Sequence, residues 1–259
     1  LQSNYRKYDF RNSLIRVENI INGSFIYEEL NEIPLRSKLT YSNGFYVNCI
    51  ALFVDIRKSS ELPQKYKRPV LARIYRSYIA EVVAILNCFR SCKEVNIVGD
   101  SVSGIFEGKY KANYQEAFDA ACHINSIVNV INYKLAKKGI EEISIGIGLS
   151  YGRALMIKAG QSGVGINEVV WMGEVVNEAS NLCNSANKNG LHKLILDENI
   201  YRNISSHDQQ YLTQIPNTTL FHGSIAMKES LEWLESQKLR DSAKRNSNLN
   251  RNNPFNFFN

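Results

Sequence analysis

The chain has few of the residues that would build a covalent or metal-clamped scaffold. It carries five cysteines among 259 residues, at Cys49, Cys88, Cys92, Cys122 and Cys183. An odd number with no CxxC pair excludes a disulfide framework and a zinc knuckle. Cys88 and Cys92 stand one helical turn apart and read as buried thiols, so a reducing, cytoplasmic setting is expected. The four histidines, His123, His192, His207 and His222, share no ligand spacing. No apolar run approaches the length of a membrane span, and the first residues are too polar for a signal peptide. No internal repeat occurs. Acidic residues are outnumbered, 25 against 31 Lys and Arg, for a net charge of +6. Such a surplus suits an anionic partner or a solvated face. The basic residues do not cluster with aromatics on one strand face, so no nucleic-acid partner is expected, and with no spanning run no membrane partner is expected either.

What is present is a regular alternation of elements. The first 45 residues are polar and mixed. One stretch within them (Leu14, Ile15, Val17, Ile20, Ile21) has helical spacing and is expected to pack on the body. Tyr46 to Ile56 reads as a buried strand with Asp55 at its end. Pro69 opens a helix to about Phe89 whose apolar face is Val70, Leu71, Ile74, Tyr78, Val82, Ile85 and Leu86. Two β-rich runs, Glu94 to Val98 and Val102 to Phe106, flank Gly99-Asp100-Ser101, which marks a hairpin. A second helix spans about Tyr114 to Lys137, stopped by Gly139. Ile143 to Leu149 reads as a strand containing Gly146 and Gly148. Tyr151 to Gly165, with four glycines, reads as a hairpin and loop. A helix from Glu174 to Ala186 and a short strand from Leu194 to Leu196 follow. From residue 237 the Asn-, Ser-, Arg- and Lys-rich composition predicts a flexible tail with Phe255, Phe257 and Phe258 at its end. The order strand, helix, hairpin, helix, strand is the split βαββαβ pattern of a ferredoxin-like α+β sandwich. The expected division is an N-terminal helical extension over 1–45, a catalytic domain over 46–236 and a tail over 237–259.

In this topology the first strand lies beside the hairpin, so Asp55 and Asp100 should converge at one sheet edge. Two adjacent carboxylates repel, and divalent cations remove that repulsion. A pair of such ions can activate an attacking oxygen and stabilise a leaving phosphate. The following residues, Ile56, Arg57, Lys58, Ser59 and Ser60, offer amides, hydroxyls and cations to a triphosphate. Taken singly, Asp55 could be a strand-end cap and Asp100 a turn residue.

Four segments together resemble the class III nucleotidyl cyclases. Phe53-Val54-Asp55-Ile56 is similar to their first metal motif, and Val98-Gly99-Asp100 to their second. Ile143 to Gly152 resembles their glycine-containing fifth strand. Trp171 to Ser180, containing Gly173 and Val176-Asn177-Glu178-Ala179-Ser180, resembles their late motif. The resemblance implies two divalent cations, Mg2+ or Mn2+, held by Asp55, Ile56 and Asp100. It implies a head-to-tail homodimer with composite sites, in which Asn177 orients ribose or triphosphate in the partner's site. The reaction implied is in-line attack of the ribose 3′-hydroxyl on the α-phosphate, with pyrophosphate leaving.

The departures concern the base and the transition state. Adenylate cyclases carry Lys, and guanylate cyclases Glu, where this chain has Asn96. Adenylate cyclases have Asp or Thr where it has Val170, so a purine-reading pair is missing. The family's transition-state Arg is replaced by Asn181, for which Arg57 and Arg153 are candidate substitutes. Leu39 to Val47 running into Ala51 to Arg57, Arg68 to Arg76, and Asn96 to Asp100 are similar to the bacterial Pycsar antiphage pyrimidine cyclases. That likeness implies UTP or CTP as substrate and cyclic UMP or cyclic CMP as a signal to a separate cyclic-nucleotide-gated effector. Tyr46 is the candidate aromatic for the smaller base. The competing readings are a purine cyclase, a catalytically silent nucleotide-sensing dimer, and a diguanylate cyclase or polymerase palm; the last of these lacks support because Val-Gly-Asp-Ser-Val has no tandem acidic pair.

Overall fold

The computed structural model describes residue 3 and residues 5–161 and 167–251. In chain order these form α1 (Phe10–Asn22), β1 (Ile26–Leu30), β2 (Asn43–Ile56), α2 (Leu62–Lys65), α3 (Arg68–Cys88), β3 (Cys92–Val98), β4 (Ser101–Glu107), α4 (Lys111–Ala136) and β5 (Ile145–Gly160). There follow β6 (Asn167–Met172), α5 (Glu174–Ser185), β7 (Leu194–Leu196), α6 (Glu198–Asn203), α7 (Ser206–Gln209), β8 (Thr213–Gln214), β9 (Phe221–Gly223) and α8 (Lys228–Arg251). Single 3-10 turns, Arg36–Lys38 and Ser59–Glu61, flank β2.

The main sheet runs β3-β4-β2-β5-β7-β9-β8, with β1 added to β2 and β6 added to β5. β2 is antiparallel to β4 on one side and to β5 on the other. The β2-α3-β3-β4-α4-β5 unit is the expected ferredoxin-like sandwich. Its alternation is visible along β2, because neighbouring strand residues point to opposite faces. Ile50, Leu52, Val54 and Ile56 join the core beneath α3 and α4, where Tyr78, Phe106 and Phe118 are fully buried. Phe45, Val47, Cys49 and Ala51 join a second core on the opposite face, capped by Val175 and Ala179 of α5.

β5 runs further than Leu149. It continues to Gly160, pairing with β2 on one side and antiparallel with β6 on the other, so that β5 and β6 form the hairpin expected after Tyr151. Gly148, earlier in the strand, marks close packing. A Cβ on Gly148 would lie 2.2 Å from the Ala179 carbonyl oxygen and 2.3 Å from the Cys183 nitrogen. Helix α5 therefore rests directly on the strand backbone.

The N-terminal extension is only partly attached. β1 pairs in parallel with the start of β2. The segment after it crosses the second face of the sheet, where Leu39 is buried and the Ile33 amide donates to Glu107. Arg36 forms a two-pronged ion pair with Glu94, whose side chain is 2% exposed. Helix α1, expected to pack on the body, has no buried residue. At the other end, α8 carries helix beyond residue 237, the expected start of the tail, as far as Arg251. Trp233 meets Tyr133 edge-on at 5.7 Å, and Asp241 accepts from Tyr133 Oη at 2.5 Å and Lys137 Nζ at 2.9 Å. Phe255, Phe257 and Phe258 lie outside the described residues. Cys88 is exposed rather than buried. No described helix is long and apolar enough to cross a membrane.

Candidate active site

Asp55 is the last but one residue of β2, and Asp100 sits in the two-residue loop between β3 and β4. The register fixes their approach: Val54 pairs with Val102, and Val98 with Ser101. Gly99 takes φ +65°, which lets so short a loop close. The two carboxyl groups come close enough to share a proton. Burial, then the neighbouring Asp100 anion and the hydrogen bond to it, raise the Asp55 carboxyl to about 6, against the opposing pull of Arg57 and the Ile56 amide. One oxygen of Asp100, Oδ2, is buried and has no hydrogen-bond partner.

That orphaned oxygen tests whether a cation suits the corner. A buried carboxylate oxygen without a donor is costly, and a second carboxylate beside it makes it costlier. Hard oxygen donors of this kind suit Mg2+ or Mn2+, which need only one or two carboxylates when phosphates complete the shell. Ile56 can add only its main-chain carbonyl. Among the described residues no cluster of three or more His, Cys, Asp or Glu forms a metal cage.

Two tyrosines of α3 border the pair: Tyr75, and Tyr78, which the sequence places on the apolar face of the helix without linking it to the site. Burial, and then the Asp100 and Asp55 anions, raise the Tyr75 hydroxyl. Tyr78 is fully buried, its hydroxyl unpartnered and pushed upward by burial and then by Asp55. A tyrosine within an otherwise aliphatic helix face is the signal that could have found it.

The remaining candidates divide. Ser59 is half-buried and Ser60 exposed, and both open the 3-10 turn that follows Lys58, itself in a left-handed conformation. Arg57 is not in an open phosphate cradle. Its guanidinium, 8% exposed, donates to the Asn184 carbonyl at 3.0 Å and reaches Cys183 Sγ and the Asp55 carbonyl at 3.5 Å each. The cation thus sits at the negative end of α5, where free carbonyls collect. Asn177 and Asn181, one turn apart on α5, are both exposed.

Asn96 lies on the same sheet face as Asp55, in a cavity of about 360 Å3 with Arg36, Glu94, Lys158, Glu168 and Val169. Val170 is not beside it. Trp171 and Val169 face the second core, so the intervening Val170 points to the opposite side. Tyr46 is also misplaced for a base contact in its own chain. It stands nine residues before Asp55 on one strand, roughly 30 Å away, with its side chain on the other face. Its ring is covered by Arg153 at 3.8 Å, and Arg153 is ion-paired with Glu29. Arg153 is therefore no substitute for the missing transition-state Arg within its own chain.

The adenylyl cyclase CyaB from P. aeruginosa superposes with a TM-score of 0.59 at 17% identity, covering 71% of this chain and 97% of that one. At that identity the match establishes the fold. No family model matches the chain. Curated relatives decide the family. A uridylate cyclase from Gulbenkiania mobilis is 44% identical over 258 residues, 92% of this chain and 100% of the relative. The chain belongs to the uridylate cyclase family. A second uridylate cyclase, from Treponema porcinum, is 39% identical over 203 residues, 78% of this chain and 71% of that protein. The protein is thus a nucleotidyl cyclase, built on the class III cyclase fold.

Proposed function

We propose that this cyclase converts UTP to 3′,5′-cyclic UMP and pyrophosphate, with CTP as the alternative pyrimidine substrate. The observation that carries the proposal is the Asp55–Asp100 pair, with its unpartnered buried oxygen, in a chain 44% identical to a uridylate cyclase. Asp55, Asp100 and the Ile56 carbonyl would hold two divalent cations, Mg2+ or Mn2+. Bound there, such ions supply activation of the ribose hydroxyl and charge neutralisation on the phosphates. The protein's own part is positioning. The hairpin and strand end fix both carboxylates before substrate arrives, and the turn that follows β2 would offer the Ser59 and Ser60 hydroxyls to the phosphates. Asn177 and Asn181 are exposed on α5, open to a second copy, which favours a head-to-tail homodimer that completes each site. The product would act as a second messenger in antiphage defence, read by a separate effector.

The cavity beside Asn96 contains an amide and opposite charges, and Val170 turns away from it. These groups suit the hydrogen-bonding edge of a pyrimidine. Asn181 favours one second reading, a nucleotide-sensing dimer without turnover, since an amide replaces a cation there. Incubation with each of the four triphosphates and Mn2+ or Mg2+, followed by mass spectrometry, separates the readings. Cyclic UMP with pyrophosphate is the expected result. A preferred purine product overturns the substrate assignment, and no product from any triphosphate overturns the catalytic one.

A further inference from the structure

Helix α1 is a formed helix with no packed side. Asp9 caps it, accepting from the amides of Arg11 and Asn12. Phe10, Leu14, Val17 and Ile21 are 53–74% exposed. Their spacing of four, three and four residues is a heptad seam, which places all four on one line of the helix. A helix of 13 residues is marginal in water without a partner. The seam therefore needs cover that its own chain does not give.

We propose that α1 pairs antiparallel with α1 of a second copy of this chain. Identical seams are self-complementary, as a two-fold interface requires. An antiparallel register that sets Leu14 against Val17 also sets Phe10 against Ile21. Arg11 and Glu18 flank the seam on one side, seven residues apart. In that register Arg11 of each copy faces Glu18 of the other, twice over. Neither side chain has an ion pair among the described residues of its own chain. Ile20, 63% exposed, widens the seam on the opposite flank. A lipid surface fits less well. The polar face carries Arg11 and Arg16 against Glu18, with Asn12, Asn19 and Asn22, whereas membrane-lying helices are rich in Lys and Arg. The pairing does not depend on the nucleotide chemistry proposed above.

The test is sedimentation of the full chain across a concentration series. Leu14→Asp should weaken self-association about tenfold or more, because a charge in a seam of two heptads has no partner. Leu14 is exposed and outside both cores, so the variant should keep the melting temperature of the body and lose at most the far-ultraviolet signal of the unpaired α1. Arg11→Glu and Glu18→Arg should each weaken association about fivefold, and the double swap should restore it. Unchanged association in Leu14→Asp overturns the proposal. So does failure of the double swap to recover, which would exclude this register. Loss of binding to anionic vesicles in Leu14→Asp, with association intact, would overturn it in favour of a lipid surface. Cyclic nucleotide output, measured in parallel, keeps these outcomes apart from failure of the catalytic assignment.

Discussion

Two carboxylate sites lie on the same face of this sheet and are treated in opposite ways. Glu94 is buried and answered by Arg36, which crosses from the N-terminal segment to meet it. Asp100 is also partly buried, yet one of its oxygens has no hydrogen-bond partner, and another aspartate, Asp55, lies beside it. A fold can afford a buried carboxylate when it supplies the partner. Glu94 is thus part of the architecture, and the Asp55–Asp100 corner is a pair of carboxylates that the fold leaves without a cationic partner for Asp100 Oδ2.

The sharpest way to break that contrast is to remove each side. Asp55→Ala or Asp100→Ala should lower cyclic nucleotide formation by about 10³-fold or more. The same variants should melt no lower than the parent without metal, since a repulsive pair has been relieved. A melting temperature several degrees lower would mean the pair is structural. Arg36→Ala should do the reverse. It strands a buried carboxylate at a cost of about 2 kcal/mol, less than the figure for a fully buried pair because Arg36 is itself 65% exposed. Differential scanning calorimetry should register this as a fall of about 4–8 °C for a domain of this size.

Titration distinguishes the corner next. Asp55 is raised to about 6 in the folded, metal-free protein, above its unfolded value near 3.8. Its protonated form therefore favours folding below pH 4, and that contribution fades as pH rises through 6. Metal-free protein should lose stability over this interval, and Asp55→Asn should flatten the loss. An unaltered slope would show that another group titrates. The smallest effect is expected at Tyr78. Tyr78→Phe removes an unpartnered hydroxyl and should change stability by no more than about 1 kcal/mol. If the variant unfolds at markedly lower denaturant, the hydroxyl has a partner that the corner hides.

The sandwich and its corner were legible in the sequence because both rest on local patterns. Apolar alternation marked β2, Pro69 and the aliphatic spacing marked α3, and Gly99-Asp100 marked the hairpin that brings Asp100 to Asp55. What escaped was set by contacts between distant segments. Arg57 follows Asp55 in a basic run and reads as a phosphate ligand, but the end of α5, more than 120 residues later, takes it. Val170 sits at a family position, yet strand parity turns it away from Asn96. Tyr46 opens the strand that Asp55 closes, and a fully paired strand of that length separates its ends. Gly148 escaped as well, because sequence does not show that a missing side chain there makes room for the backbone of α5.

Arg57 has one further consequence. Its guanidinium fastens the end of β2 to the end of α5, touching Asn184, Cys183 and Asp55 together. The strand end bearing one carboxylate and the helix bearing the two exposed asparagines are thereby pinned together at one point, so that the same cation anchors both.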